Sequence, residues 1–398
     1  MQIHRQIQEY LVYDTEPISR AVEKINDNKK RIAFVITNDG KLRGSISDGD
    51  LRRWIAKTSS IDLSREVNEI TNRNFCSINV NASRQEIVTL FTKAIDTIPL
   101  IDDYGKFVAV AINSEPGIYI GNHIISERHH SFIIAEIGNN HNGDLELAKQ
   151  LVDFAKEANA DCAKFQIRDL NSLYQHGDQR DFSADLGAQY TYDLLSKNQL
   201  QHQEMIKIFD YCYEKAITPL CTPWDIMSLE FLESYGMEAY KVASADLTNL
   251  NLLDALVKTK KPLICSTGMS RESEILNLVD FLKVKGAEFI LLHCNSTYPA
   301  PLKDVNLAYL ENLKKISGRI VGYSGHERGI TVPIAAVALG AKVIEKHFTL
   351  DKNLEGNDHK ISLLPLEFKE MVLKIREVEE AMGKNKVREI SQGELINR

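Results

Sequence analysis

The chain has 398 residues, 43% hydrophobic and 26% charged, ordinary globular values that leave room for more than one packed domain. Lys and Arg number 48 against 55 Asp and Glu, a net charge of −7 with no basic run, which argues against a nucleic-acid partner. No apolar stretch reaches the roughly 18 residues that span a bilayer, and the first residues lack a signal peptide's apolar segment, so a cytoplasmic protein with no membrane partner is expected.

The first predicted elements form a repeat. RIAFVITNDGKLRGSIS (31–47) reads as a strand, an Asp39-Gly40 turn and a second strand, with a helix beginning near Asp50; TIPLIDDYGKFVAVAI (97–112) repeats the pattern around Gly105. Between them, SRQEIVTLFTKAI (83–95) sets Ile87, Leu90, Phe91 and Ile95 at helical spacing. Such a repeat predicts two similar units packed together as a small α+β domain over residues 1–120. In GSISDGDLRR, the order Gly44, Ser47, Asp50 resembles a cystathionine-beta-synthase (CBS) domain pair. That resemblance implies a regulatory adenine-nucleotide site in which Asp50 holds ribose hydroxyls with Ser47 beside it. AVAINSEPG in the second repeat lacks the matching residues, so at most one such site is expected. The same two residues equally suit a helix cap.

Residues 121–131, GNHIISERHHS, read as a polar linker whose adjacent His129 and His130 are solvated rather than metal ligands. Eight apolar runs follow, each leaving room for a helix: FIIAEIG (132–138), CAKFQ (162–166), TPLCTPW (218–224), AYKVAS (239–244), PLICSTG (262–268), FILLHCN (289–295), IVGYSGH (320–326) and VIEKHFT (343–349). Nearly continuous hydrophobic strands alternating with helices predict a parallel TIM (β/α)8 barrel, an α/β fold, over 132–383, with its active site at the C-terminal strand ends. EFKEMVLKIREVEEAMG (367–383) closes it as an amphipathic helix stopped by Gly383 and leaves 384–398 as a tail. Cys162, Cys221, Cys265 and Cys294 fall in these strands, with Cys76 and Cys212 elsewhere, which fits reduced thiols better than disulfides.

All eight runs end in polar or ionisable residues. Residues two apart on a strand share a face, so Lys164 points with Gln166 and Glu345 with His347, while Lys346 points outward among the helices. A lysine inside a barrel is costly without an anion, so Lys164 and Lys241 predict an anionic ligand between them. Thr222, Ser244, Ser266, Thr267 and Ser324 add neutral donors, which suits a small, highly charged phosphate or carboxylate. His326 and His347 end adjacent strands and can meet at one metal. Two imidazoles completed by carboxylate or water suit a divalent ion such as Mn2+, with Mg2+ and Co2+ as alternatives. His293 is either a third ligand or a packed interior residue. Glu136, Asp246 and Asp358 are acids that can hold a polyol, one of them acting as general base toward water.

With AEIGNNHNG, AKFQ, YKVASAD, STGM, LLHCNSTYP, GYSGHERGI, ALGAKVIEKHFTLDK and DHKISLLP in order, residues 132–383 resemble the sialic acid synthases. The resemblance implies condensation of phosphoenolpyruvate with an N-acetylated amino sugar, such as N-acetylmannosamine, to a nine-carbon 2-keto sugar acid with release of phosphate. By position it implies His326 and His347 as metal ligands and Lys164, Thr222, Lys241, Ser244, Ser266 and Ser324 around phosphoenolpyruvate. Glu136, Gln166, Asp246, Tyr298 and Asp358 then lie near the sugar, with Ser296 standing where some members have Asn. Glu136, Lys164, Lys241 and Glu345 form the expected catalytic set, Glu136 managing the water that leads to phosphate release.

Gly325 and Asp246 replace an Asp and a Glu of other members, which bears on substrate choice. A small antifreeze-like domain usually follows in this family and passes an arginine to the partner subunit's sugar site, which implies a homo-oligomer; that domain is expected to be absent here. Two other readings stand beside this one. A synthase for a phosphorylated aldose needs more cations than Arg168, Arg180, Arg271 and Arg328 bring together, and a nucleotide-responsive binding protein needs no catalysis at all.

Overall fold

The computed structural model describes residues 2–28, 30–58, 60–92, 95–113, 117–170, 192, 195–356, 358–383, 387 and 389–397; Arg180 lies outside them. The chain divides into two compact units, Met1–Pro116 and Gly117–Arg398. In the first, β1 (Gln2–His4), β2 (Leu11–Tyr13), β3 (Ile32–Ile36), β4 (Leu42–Ser47), β5 (Ile78–Asn79), β6 (Thr97–Ile101) and β7 (Phe107–Ile112) form two sheets, β2-β3-β4 and β1-β7-β6-β5. The repeat is visible in the pairing: β2 joins β3 parallel and β3 joins β4 antiparallel, as β5 joins β6 and β6 joins β7. The turns after β3 and β6 bind each other, Leu42 N donating to Gly105 O and Phe107 N to Gly40 O. Both glycines hold positive φ, which glycine adopts without strain. The helix expected over 83–95 is shorter, Arg84–Thr89; Thr92 and Ile95 exchange backbone bonds in a tight turn, while Leu90, Phe91 and Ile95 still pack with Ile98 and Leu100.

The second unit opens with a hairpin, β8 (Ile118–Ile120) and β9 (His123–Ile125). β10 (Phe132–Gly138), β11 (Cys162–Ile167), β12 (Thr218–Pro223), β13 (Tyr240–Val242), β14 (Leu263–Ser266), β15 (Phe289–Cys294), β16 (Val321–Gly325) and β17 (Val343–His347) then close a parallel barrel in chain order, β17 pairing back onto β10. Each expected run is a strand to within two residues at either end. Asp144 caps the helix Leu145–Glu157, accepting from Glu146 N and Leu147 N, and Gly383 at φ 57° ends the helix Pro365–Met382.

Strand alternation divides the core in two. Outward residues such as Ile133, Phe165, Tyr240, Leu291 and Tyr323 pack with the helices, whereas Phe132, Ile134, Cys162, Leu220, Ala239, Ile264, Ile290, Leu292 and Val343 point inward and fill the N-terminal end of the barrel. Ile118, Ile120 and Ile125 of the hairpin belong to this inner cluster. The hairpin straddles the expected boundary at residue 120, with Ile118 and Ile120 expected in the first domain and Ile125 in the linker, and all three contribute to the barrel's floor: burying each isoleucine is worth about 1.5–3 kcal/mol, enough to draw a short hairpin out of solvent. His129 lies 2.7 Å from Ser126 Oγ, and His130, exposed as expected, lies 2.7 Å from Glu379 Oε2. All six cysteines are free. Among the described residues no helix is long and apolar enough to cross a membrane.

Candidate active site

One step above the apolar floor, the inward positions turn polar. Glu136, Lys164, Thr222, Lys241, Ser266, Cys294, Ser324 and Glu345 each stand two residues beyond a floor position on the same strand. They line a cavity of about 260 Å3 at the C-terminal end of the barrel. Lys164 Nζ lies 2.9 Å from Glu136 Oε2, an ion pair without the alignment of a hydrogen bond, and donates to Thr222 Oγ1 at 2.9 Å. Lys241 Nζ donates to Ser266 Oγ at 2.6 Å and to Val242 O at 3.0 Å. Glu345 sits between the amines, 3.9 Å from each, and accepts from Ser324 Oγ at 3.4 Å.

The anions that two buried lysines require are thus supplied first by the protein itself, a correction to the expectation that a ligand must provide them. An ammonium has three protons. Lys164 directs one at Thr222, Lys241 uses two on Ser266 and Val242, and at least one on each amine remains for the space around Glu136 and Glu345. Burial pushes Glu136 up to about 7 against the pull of Lys164, with Glu345 adding to the rise. Burial opposes the charge on Lys164 as well, but the two carboxylates outweigh it and hold its pKa above the ordinary value. Lys241 is pulled down by burial, and Glu345 is held low by Lys241 and Lys164 in spite of its own burial.

His326 and His347 face each other with ring centroids 5.3 Å apart. Nδ1 of His326 is 2.7 Å from Asn295 O and 3.7 Å from Cys294 Sγ, and Tyr298 stacks on the ring at 4.1 Å. A carbonyl only accepts, so Nδ1 carries the proton and the lone pair of the neutral ring is on Nε2. Nδ1 of His347 is buried with no hydrogen-bond partner, 3.8 Å from Asp358 Oδ2. Burial, and then the neighbouring His326, pushes His347 well below its ordinary pKa, whereas Cys294 holds His326 above its own despite burial. Among the described residues no three His, Cys, Asp or Glu side chains form a ready-made metal cage.

Every barrel residue assigned to the site lines this cavity except Asp246 and Thr267. Asp246 ends the turn Ser244–Asp246, accepts from Asn249 Nδ2 at 3.0 Å and keeps Oδ2 buried without a partner. Strand parity explains the placement of Thr267 and decides between the two readings of His293, since the neighbour of an inward residue faces outward. Thr267 Oγ1 donates to Leu292 O at 3.0 Å, and His293 turns toward the helices, its Nε2 2.6 Å from Val305 O, so it is a packed residue and no third ligand. A wider cleft of about 490 Å3 beside β14 and β15 reaches His293, Glu272 and Asp304, but no lysine or arginine lines it.

Trp224, Met269 and Cys294 also line the mouth, although the sequence assigns none of them to the site. Parity would have found Cys294, two residues beyond Leu292. Arg168 stacks over Trp224 at 4.2 Å and donates to Gln166 Oε1 at 2.7 Å; Gln166 Nε2 in turn donates to Glu136 Oε1 at 2.6 Å.

In the first unit, Ser47 and Asp50 cap the helix Asp48–Lys57 reciprocally. Ser47 N and Oγ donate to Asp50 Oδ2 at 2.8 and 2.6 Å, Asp50 N donates to Ser47 Oγ at 3.3 Å, and Arg53 Nη2 donates to the other carboxylate oxygen at 2.7 Å.

The NeuB family model matches residues 151–387 and a CBS domain model matches residues 8–57. The N,N'-diacetyllegionaminic acid synthase of Campylobacter jejuni is 40% identical over 276 residues, covering 67% of this chain and 81% of that protein. Human N-acetylneuraminate-9-phosphate synthase is 38% identical over 271 residues, covering 67% and 74%. The crystal structure of an N-acetylneuraminic acid synthetase from Leptospira borgpetersenii, in complex with citrate, superposes with a TM-score of 0.64 at 34% identity, over 70% of this chain and 94% of the other. The chain belongs to the NeuB family and carries a CBS domain ahead of its barrel.

Proposed function

We propose that the protein is a phosphoenolpyruvate-dependent sugar-acid synthase that joins phosphoenolpyruvate to an N-acetylated amino sugar of the N-acetylmannosamine kind and releases phosphate. One observation carries the reading: two buried amines, each with a proton to spare, converge on a cavity ringed by the hydroxyls of Thr222, Ser266 and Ser324. The names of the relatives, synthases of legionaminic acid and of N-acetylneuraminate-9-phosphate, support the reaction class.

Lys164 and Lys241 grip the carboxylate and phosphate of phosphoenolpyruvate, and Thr222, Ser244, Ser266, Ser296 and Ser324 complete its solvation. Gln166, Tyr298 and Asp358 face the hydroxyls of the sugar, while Asp246 steadies the turn below them. His326 and His347 would hold a divalent ion, Mn2+ in the first instance, with Mg2+ and Co2+ as alternatives. The fit rests on the unpartnered Nδ1 of His347 and on the Asn295 carbonyl that sets the tautomer of His326. When bound, such an ion supplies positive charge that polarises the sugar aldehyde and steadies the oxyanion formed there. Bond formation from the enol carbon to the aldehyde carbon leaves positive character on the carbon bearing the phosphate. A water adds to that carbon, its proton passes to Glu136 Oε2 and from there to the new alkoxide, and the tetrahedral carbon becomes the ketone as its C–O bond to phosphate breaks and its hydroxyl proton leaves with the phosphate. Gln166 holds Oε1 of Glu136, and a pKa of about 7 suits a base that must take and return a proton near neutrality.

Incubation with phosphoenolpyruvate, Mn2+ and a panel of acceptors, read by product mass and phosphate release, tests the reading. The panel holds N-acetylmannosamine, a diacetamido trideoxyhexose and N-acetylmannosamine 6-phosphate. A nine-carbon acid and equimolar phosphate are expected from an unphosphorylated sugar and are lost on chelation. Turnover of the phosphorylated sugar alone favours the rival synthase, and binding without turnover in every case ends the catalytic reading.

A further inference from the structure

Behind the two imidazoles, with Lys346 on the outward side of β17 and Glu327 just past the end of β16, lies an ion pair with no part in the chemistry above. Glu327 and Lys346 are both 0% exposed. Lys346 Nζ donates to Glu327 Oε1 at 3.0 Å and to the Glu327 main-chain O at 2.5 Å, and Tyr323 OH donates to Glu327 Oε2 at 2.6 Å. Both carboxylate oxygens are engaged. The arrangement needs a glycine at 325, where a Cβ would come within 2.6 and 2.8 Å of the Glu327 oxygens and 2.7 Å of Tyr323 Cε1. A pair withdrawn wholly from water adds little to stability, and apolar replacements of such pairs are often neutral. What it adds here is geometry. Pairing between β16 and β17 ends at Gly325 with Lys346, the chain carrying His326 and Glu327 continues past that point, and the bonds from Lys346 to Glu327 tie it down. Lys346 immediately precedes His347, and Glu327 immediately follows His326.

We infer that Glu327, Lys346 and Tyr323 are positioning residues that fix the separation and orientation of His326 and His347 from behind the barrel wall, an inference resting on the proposed function only for what the imidazoles hold. The test compares Glu327→Gln and Lys346→Met with Ile344→Ala, a fully buried outward residue of β17 that pairs with Tyr323 across the strands but has no polar side-chain group in the tie. Imidazole 15N spectra are recorded on the metal-free protein, and Mn2+ affinity is measured by electron paramagnetic resonance. The His326 and His347 signals are expected to move in both charge variants, and Mn2+ affinity to fall about 10- to 100-fold. Ile344→Ala is expected to lower the melting temperature without either change. Tyr323→Phe keeps the ion pair and gives a smaller shift of the same sign, which decides the matter if the charge variants do not fold. Unmoved imidazole signals in the folded variants, or equal shifts in Ile344→Ala, would overturn the assignment. Wild-type protein that binds no Mn2+ would sink the metal reading alone, since the metal-free spectra still judge the tie.

Discussion

The floor and the rim of the barrel are made by the same eight strands, two residues apart, and they follow opposite rules. At the floor, Ile134, Leu220, Ile264 and Leu292 need only fill volume against one another and the hairpin. At the rim, Glu136, Lys164, Lys241 and Glu345 are as deeply buried, yet each is defined by particular partner atoms. Floor positions therefore tolerate changes of shape at constant volume. At the rim, removal of one charge leaves another buried and unpaired. A single layer of side chains separates a region governed by packing from one governed by electrostatics.

Substitutions on either side of that layer should separate stability from activity, and the largest effect on turnover belongs to the rim. Glu136→Gln is expected to lower kcat/KM by about 10²–10⁴-fold. Because burial lifts this carboxyl to about 7, the wild-type enzyme should lose kcat/KM about tenfold per pH unit below that value, and the acidic limb should vanish in the variant. A limb that survives Glu136→Gln would assign the proton elsewhere. The same shift has a folding consequence. Ionising Glu136 works against the native state, so its stabilising contribution is full below its ordinary pKa of 4.5 and is lost as pH rises through about 7.

At the floor, Leu292→Ala should cost about 2–5 kcal/mol of unfolding free energy while kcat/KM changes less than about threefold, by denaturant titration beside a phosphate assay. A tenfold loss of activity would mean that the floor shapes the site after all. The smallest effect is outside the barrel. Asp50→Ala removes the N3 half of the capping box while Ser47 stays as N-cap, and should lower the melting temperature of the first unit slightly. If Asp50 also serves a ribose, millimolar AMP or ATP raises that melting temperature in the wild type and not in the variant. No shift in either leaves the cap as its whole role.

Much of this is legible in the sequence alone, because a parallel strand announces itself as an apolar run and its period of two sorts inward from outward residues. That is why Glu136, Lys164, Glu345 and His347 could be aimed at one mouth. The misses have physical causes. Thr267 and His293 lie one residue off the inward parity. Asp246 sits in a turn, where no period applies. The hairpin hid in a polar segment because only Ile118, Ile120 and Ile125 carry its apolar face. Lys346 was placed correctly on the outside, but its partner Glu327 follows the strand end, where sequence spacing says nothing about contact.

The hairpin under the barrel has a kinetic consequence. With its lower end closed by isoleucines, the barrel is a well with one mouth. His326 and His347 stand two residues above Ser324 and Glu345, so the amines beside Glu345 lie deeper than the imidazoles. Under the proposed function this difference in depth predicts that phosphoenolpyruvate loads before the sugar and that the sugar-derived product leaves first, an order that product-inhibition patterns would check.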